Sequence, residues 1–476
     1  MRRLGICALL LCAATALGAA QDNGPAAEAA PTRWLMEQRR LNQQFVEWFK
    51  DQRYAESAEL AESILRRAEE QYGRDAEELA GPLINLATVQ RVQGEYRDAL
   101  FHYERNIAIV ERNLGYDSPE LINPLHGMAR TFLRMGDAEA AVEPLARALR
   151  VTHSNTGIYS LEQGRTRDLL SELSLVEGDL EQANLHQRVQ VRAHERRYGP
   201  NDLRIVPALY KLGEWYERTR QTGLQRQSYA HADRIIQAAE GEDSVDRVKA
   251  LRGQAKSFVK ESRREKAEEL FGRALGILRS HPMQDLLAQA RLLIDIGDTH
   301  TLFNRSPTAR ENYREAWDLL SADDDALDAR AELLQYPVIP LRRVSLPVQV
   351  PRERKNPSRY DSQPRAGSVV LQLTLEPDGK VSNAQVIESD PPGMIDDLAV
   401  ALIRNARFRP QMRDGEPVRA EGVIYRHRFR WHQRLEDESD GGSPVPSDPP
   451  DEERPIEYPG GNPAEPASPA RDSRDY

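Results

Sequence analysis

Between Pro82 and Arg112 the apolar positions fall into two runs at helical spacing. Leu83, Leu86, Ala87 and Val89 precede Gly94, and Tyr96, Ala99, Leu100, Tyr103 and Ile107 follow it. The pattern predicts two helices joined by a tight turn at Gly94, where a residue without Cβ takes positive φ at no steric cost. The same arrangement recurs every 42 residues along most of the chain. Small residues stand at Ala87, Ala129, Ser171, Gly213, Ala255 and Gly297. Twelve positions after each comes a second small or polar slot, at Ala99, Ala141, Ala183, Gln225, Ala267 and Ala309. The turn slot between them holds Gly94, Gly136, Gly178, Arg220, Ser262 and Asn304. A second glycine series, Gly73, Gly115, Gly157, Gly199 and Gly241, keeps the period and predicts the cap that ends each second helix. Self-similarity of this length signals stacked helix pairs, each unable to bury its apolar face alone. Such arrays commonly serve as binding surfaces, so recognition rather than chemistry is the first expectation.

Seven units fit without an insertion from about Arg33 to about Ser321, and the array as a whole is assigned to residues 33–334. The first is atypical, with Phe45 in the small slot and Ser57 in the alanine slot, although Tyr54 aligns with Tyr96. The fifth is degenerate at Arg220 and Gln225. An irregular end unit is what such an array needs to close its exposed core. With the pair Ala87/Ala99, the Gly94-Glu-Tyr96 turn and Tyr103 (matched by Tyr229, Phe271 and Tyr313), the unit resembles the tetratricopeptide repeat. The 42-residue form is similar to that of kinesin light chains.

After Leu334 the helical period stops. Residues 335–366 are rich in proline and arginine and read as a linker, with one short strand expected at Val344 to Val350. An α+β pattern follows over 367–434. Val369, Leu371, Leu373 and Leu375 alternate as a strand, Pro377-Asp-Gly379 makes a hairpin turn, and a second strand runs through Val381, Val386 and Ile387. Ile395, Leu398, Ala399, Leu402 and Ala406 give an amphipathic helix, and Arg413-Asp-Gly415-Glu-Pro417 another turn. In the last strand Val423, Tyr425, His427, Phe429 and Trp431 alternate with Ile424, Arg426, Arg428 and Arg430.

From about Tyr360 to Trp431 the order of these features resembles the C-terminal domain of TonB proteins. The matching residues are Gly367-x-Val-Val-Leu-x-Leu, Pro-Asp-Gly379-x-Val381, Ala406-Arg-Phe408-Arg-Pro410, and Asp414-Gly415-x-Pro417-Val418 with a strand ending in Phe-x-Trp. The resemblance implies a periplasmic module that contacts outer-membrane transporters by adding a strand to a sheet edge. An energy-transducing member also carries an uncleaved N-terminal helix with a polar histidine and a long proline-rich spacer. Here no histidine occurs before His102, and the repeat array replaces the spacer. These departures favour the binding module and argue against force transmission.

The fold class expected is therefore an all-α tetratricopeptide solenoid, a small α+β module and a tail. Aromatic and charged contents of 6% and 29% suit an extended helical surface better than one large core. The formal net charge of −10 comes mostly from the segment Glu436 to Tyr476, whose 12 acidic and 3 basic side chains contribute −9. The remainder is near neutral, so a nucleic-acid partner is not expected. With nine prolines, the tail at 435–476 cannot bury enough apolar surface to fold. Arg2 and Arg3 precede the apolar run Leu4 to Ala20, which predicts a signal peptide over 1–20, cleaved near Ala20 and followed by a linker at 21–32. Seventeen helical residues reach roughly 26 Å, short of a hydrocarbon core of about 30 Å, so an inner-membrane anchor is the lesser reading. Cys7 and Cys12 both lie in that run, which leaves the mature chain without thiols.

Nothing in the sequence points to catalysis, a cofactor or a metal. The ten histidines form no metal-spaced cluster; His186 and His194 read as helix residues, and His427 and His432 flank a strand end. Asp323-Asp-Asp325 lacks the glycine and terminal glutamate of a calcium loop. The candidate partner-binding residues are Tyr425, Arg426, His427, Arg428 and Arg430, the arginines facing acidic partners, lipid headgroups or the acidic tail. The expected function is a periplasmic adaptor for cell-envelope proteins, outer-membrane transporters among them, with peripheral membrane contact at most. The alternatives are a self-pairing envelope scaffold, or a membrane-anchored energy transducer if the N-terminal segment is retained.

Overall fold

A computed structural model of the chain describes residues 33–283, 285–335, 340–341 and 365–431. The expected signal segment, the strand at Val344 to Val350, His432 and the acidic tail lie outside these residues. The chain divides into two compact units, Met1–Ala208 and Leu209–Tyr476.

In the first unit α1 (Arg33–Lys50) pairs with α2 (Tyr54–Tyr72), α3 (Ala80–Gln93) with α4 (Tyr96–Leu114), α5 (Ile122–Met135) with α6 (Ala138–Thr156), and α7 (Gly164–Val176) with α8 (Leu180–Tyr198). α9 (Val206–Arg218) begins at the boundary. In the second unit it is followed by α10 (Thr222–Glu240), and α11 (Arg247–Lys260) then pairs with α12 (Arg264–Ser280) and α13 (Leu286–Leu302) with α14 (Ser306–Ser321). A short α15 (Leu327–Arg330) runs into a widened turn at Ala331–Gln335.

The 42-residue beat has a steric cause. The aromatic slot of the second helix inserts its ring where glycine leaves room on a first helix. A Cβ on Gly297 would stand 2.7 Å from the Tyr313 ring; one on Gly213 would stand 2.9 Å from the Tyr229 ring. Tyr229 also reaches the next pair, 2.6 Å from a Cβ on Gly253, and Tyr103 fills the corresponding space at Gly127. Tyr103 and Tyr229 thus pack both on their own pair and on the one that follows. The predicted turn slots all take left-handed backbone, including the non-glycines Arg220, Ser262 and Asn304 at φ 61°, 59° and 56°. The capping series Gly73 to Gly241 adopts φ between 85° and 98° with extended ψ, a region essentially reserved for glycine.

Not every pair carries a ring: the slot holds Ala61 in the first, Leu145 in the third and a polar residue in the fourth. That residue is Gln187, buried and hydrogen-bonded through Nε2 to Ser171 Oγ at 3.0 Å and Asp168 Oδ1 at 3.1 Å. Gln190 adds a second amide donor to Asp168 at 2.9 Å. A polar network replaces the wedge there.

The α+β part contains β1 (Arg365–Leu375), β2 (Val381–Asp390), α16 (Asp396–Arg404), β3 (Gln411–Arg413), β4 (Glu416–Val418) and β5 (Ala420–Trp431). The main sheet is antiparallel in the order β2-β1-β5, and β3 and β4 form a separate hairpin through left-handed Asp414 and Gly415. Val369, Leu371, Leu373 and Leu375 are buried together with Ala399, Ile403, Phe408 and Phe429. Ladder pairing sets the ends: β1 begins at Arg365, opposite Trp431, and β5 begins at Ala420, both earlier than the alternation alone suggests. The helix stops at Arg404, so Ala406 is buried from a loop rather than from the helix.

Gly297 and Gly276 give a paired test. Gly297→Ala, which collides with Tyr313, is expected to destabilise the second unit by about 1–3 kcal/mol. Gly276→Ala, on an exposed stretch of α12 with open space around it, is expected to stabilise it by about 0.5–1 kcal/mol. Urea unfolding of the full chain measures both.

Candidate functional site

β5 lies at one border of the sheet, and among the described residues no strand pairs with its outer side. A border strand of twelve residues presents a row of unshared N–H and C=O groups, the template on which another chain can add a strand. Its two faces differ chemically. Phe429 is buried, and half-buried Tyr425 and His427 pack beside it. The His427 ring stacks on Phe429 with centroids 6.4 Å apart, and Tyr425 meets Phe408 edge-on at 6.2 Å. Ile424, Arg426, Arg428 and Arg430 are exposed on the opposite face.

The arginine row has a counterpart within the sheet. Val370 of β1 pairs in register with both Glu388 of β2 and Arg426 of β5, and Ser368 with both Asp390 and Arg428. Arg426 Nη2 reaches Glu388 Oε2 at 3.2 Å, passing over Val370, which is only 2% exposed. An exposed pair of this kind contributes about 0–1 kcal/mol, so it lids an apolar residue more than it fixes the sheet. Arg428 and Arg430 make no ion pair among the described residues. The predicted group of five thus shares one strand, split between the core side (Tyr425, His427) and the open side (Arg426, Arg428, Arg430).

The site is set by where the module is seated. In Ala406-Arg-Phe408-Arg-Pro410, Phe408 enters the sheet core while both arginines turn to the last repeat. Arg409 is almost fully buried and grips Asp298 of α13 in a bidentate pair, Nε to Oδ1 at 2.8 Å and Nη2 to Oδ2 at 2.6 Å. Its Nη1 donates to the Leu333 carbonyl at 2.9 Å. Asp298 Oδ1 also accepts from the Tyr313 hydroxyl at 2.9 Å, and the Tyr313 hydroxyl lies 3.1 Å from Thr301 Oγ1. Burial opposes the charge on Arg409, but the Asp298 carboxylate outweighs it and the guanidinium is held more firmly protonated than usual. Burial, and then Asp298, push the Tyr313 phenol well above its ordinary value.

Around this pair the fit is close. Met412 of β3 is buried in one cluster with Trp317, Leu320 and Leu334. Gln411 Nε2 donates to the Gln335 carbonyl at 2.7 Å, Arg407 Nη2 to Asn304 Oδ1 at 3.1 Å, and Arg314 pairs with Glu416. Gly379 has no room for a side chain, since the Phe408 carbonyl and Thr301 Cγ2 occupy that space. The hairpin therefore closes the apolar end of the last helix pair.

The repeat-defining residues lie where the period places them. Ala87, Ala99, Ala129, Ala141, Ala183, Ala267 and Ala309 are buried, and Gly94, Gly136 and Gly178 make left-handed turns. Asp298, Arg409 and Met412 carried no signal as a joint: the slot of Asp298 holds Thr88, Arg130, Glu172, Glu214 and Lys256 in other units. His186 is buried and lies 3.1 Å from Arg167; burial, then Arg167, pull its pKa down to about 4. His194 lies on the same helix, 6.0 Å from the Tyr198 ring between centroids. Asp323 caps its own turn, its carboxylate accepting from the Asp325 N–H at 3.0 Å. Among the described residues no group of three or more histidine, cysteine or acidic side chains is placed to hold a metal ion.

Residues 353–430 match the family model of the Gram-negative bacterial TonB protein C-terminal. Residues 78–152 match that of the tetratricopeptide repeat. Both families are protein-interaction modules. Among solved structures the chain is similar to a putative kinesin light chain of Podosopora anserina with nearly identical TPR-like repeats. That match has 16% identity and a TM-score of 0.34, over 42% of this chain and 96% of that one. It is also similar to BtubC (BKLC) from P. vanneervenii, at 17% identity and TM-score 0.32 over 56% and 97%. PilF of Pseudomonas aeruginosa matches at 15% identity and TM-score 0.32 over 54% and 97%. No curated protein matches the chain.

Removing one partner of the buried pair should be costly. Asp298→Ala is expected to destabilise the second unit by about 3–5 kcal/mol, because Arg409 is left buried and uncompensated. Asp298→Leu combined with Arg409→Met should recover most of that loss. Urea unfolding followed by tryptophan fluorescence reads both; a cost below about 1 kcal/mol for Asp298→Ala would show the pair to be solvated.

Proposed function

For a chain that joins tetratricopeptide repeats to a TonB-type C-terminal domain, we propose a non-enzymatic protein-interaction adaptor of the cell envelope, working in the periplasm after export. The β5 border captures an extended segment of an envelope protein by strand addition, and the repeats supply a second contact. Outer-membrane transporters of the TonB-dependent kind are the partners this module type suggests. The observation that carries the reading is that, among the described residues, no strand pairs with the outer side of β5, on a module clamped to the last repeat by Arg409 and Asp298.

Energetics explain why two surfaces belong on one chain. About five new backbone hydrogen bonds at roughly 0.5–1.5 kcal/mol each give on the order of 2–8 kcal/mol gross. Association costs several kcal/mol against this. The border alone is therefore a weak site, and a second contact raises the effective concentration of the first. A rigid seat adds to this, since little freedom of the module is left to lose on binding.

The periplasmic part of this reading is supported by Arg2, Arg3 and the apolar run Leu4 to Ala20, with both cysteines inside that run. No helix among the described residues is long and apolar enough to cross a membrane. A chain released from its leader has no purchase on a membrane motor, so the reading is of an adaptor rather than a transducer.

A photo-crosslinking residue at Ile424, exposed on β5, is expected to yield adducts with an extended segment of another envelope protein in intact cells. Adducts only with a second copy of this chain would favour the self-pairing scaffold. Recovery of the chain from the inner membrane with Leu4–Ala20 still attached would return the transducer reading.

A further inference from the structure

The open face of the sheet carries positive charge that the sheet itself answers only in part. Opposite Arg426, Arg428 and Arg430 of β5 stand Val370, Ser368 and Ala366 of β1, none of them an acid. One strand further, β2 supplies Glu388 beyond Val370 and Asp390 beyond Ser368, and its pairing with β1 ends there. Acids therefore run out along the row. Arg426 has Glu388 at 3.2 Å, Arg428 makes no ion pair with Asp390, and no residue of β2 lies in register with Arg430. Arg428 and Arg430 are both exposed and stand two residues apart on one face, about 6.6 Å along the strand. Like charges at that spacing oppose one another until a counter-charge is laid over them.

The chain itself carries that counter-charge close by. β5 ends at Trp431, one residue past Arg430, and Glu436, Asp437, Glu438 and Asp440 follow within ten residues of Arg430. Six residues from Arg430 to Glu436 reach about 20 Å when extended, and the row from Arg426 to Arg430 is only about 13 Å long. The four residues 432–435 are a common length for a chain reversal, and no proline stands between Trp431 and Pro444 to obstruct one. The later acids stand beyond Pro444 and Pro446, on a longer tether.

An exposed ion pair is weak by itself, so a free acidic peptide would hold poorly on this row. A short tether changes the balance, because it presents the acids at an effective concentration of about millimolar. We propose that residues 436–440 of this same chain fold back over Arg428 and Arg430 and supply the counter-charge of the open face of β5. The cover would lie beside the strand that offers its border, so an arriving segment has to displace it or bring acids of its own. That consequence rests on the border reading above; the contact does not.

The test is carbodiimide coupling of the full chain carrying Arg428→Lys and Arg430→Lys, which keep the charge and supply amines. Coupling joins an amine only to a carboxylate in contact with it, and peptide mass spectrometry locates the links. Links from 428 or 430 to residues 436–440 are expected. A mixture of isotope-labelled and unlabelled chains should show them within one chain. Their yield should fall about fivefold or more at 1 M salt, where the screening length is about 3 Å. Amide substitutions at Glu436, Asp437, Glu438 and Asp440 should abolish them, whereas the same number at Asp451, Glu452, Glu453 and Glu457 should not. If the double variant melts early by circular dichroism, Arg430→Lys alone serves. No links, links only to Glu388 or Asp390, or links only between chains overturn the cover. Crosslinking at Ile424 reports on the border by itself. Absent coupling with surviving adducts sinks the cover alone, and coupling without adducts sinks the capture reading alone.

Discussion

The bidentate pair between Asp298 and Arg409 governs what the second unit can do. Two charges taken out of water are tolerated only when their geometry is good and their remaining hydrogen-bonding groups are answered. Here Leu333 and Tyr313 provide those answers. The pair fixes the sheet module against α13, Met412 fills the apolar end of the last helix pair, and Gly379 allows the backbones to close. An array of stacked helix pairs must end somewhere, and an exposed last pair would leave Trp317, Leu320 and Leu334 open to water. The β3–β4 hairpin covers them, so the interaction module is also the terminal cap.

Within the array the corresponding constraint is steric. Where the slot holds tyrosine, at Tyr103, Tyr229 and Tyr313, the ring needs a glycine opposite, at Gly127, at Gly213 and Gly253, and at Gly297 respectively. Tyr313 joins the two constraints: its ring wedges against Gly297 while its hydroxyl binds the carboxylate that holds Arg409. Packing of the last repeat and seating of the module are thus coupled through one side chain. A peptide added at β5 would then meet a sheet whose position is already determined.

Much of this was legible in the sequence because its causes are local or periodic. Gly94 and Asn304 share a slot, and both are left-handed, since the turn geometry is the same whatever residue fills it. The alternation from Val369 to Leu375 follows from the pleat alone. The joint was not legible, because Asp298 and Arg409 are 111 residues apart and neither breaks a pattern. An acid beside Gly297 looks like any helix-surface residue, and Arg409 looks like a fixed part of the Arg-Phe-Arg-Pro motif. Gln187 was similarly hidden: a polar residue in an aromatic slot reads as decay until Ser171 and Asp168 are seen to satisfy it. The arginine face of β5 was visible, whereas its balance against Glu388 required the register.

Hydrogen exchange at backbone amides of the full chain and of Asp298→Ala tests the central claim most directly, namely that the last repeat and the module open as one body. If the pair joins them, protection in β1 and in α13 should fall together and by similar amounts on substitution. If β1 keeps its protection while α13 alone loses it, the module folds independently and the joint is only a contact.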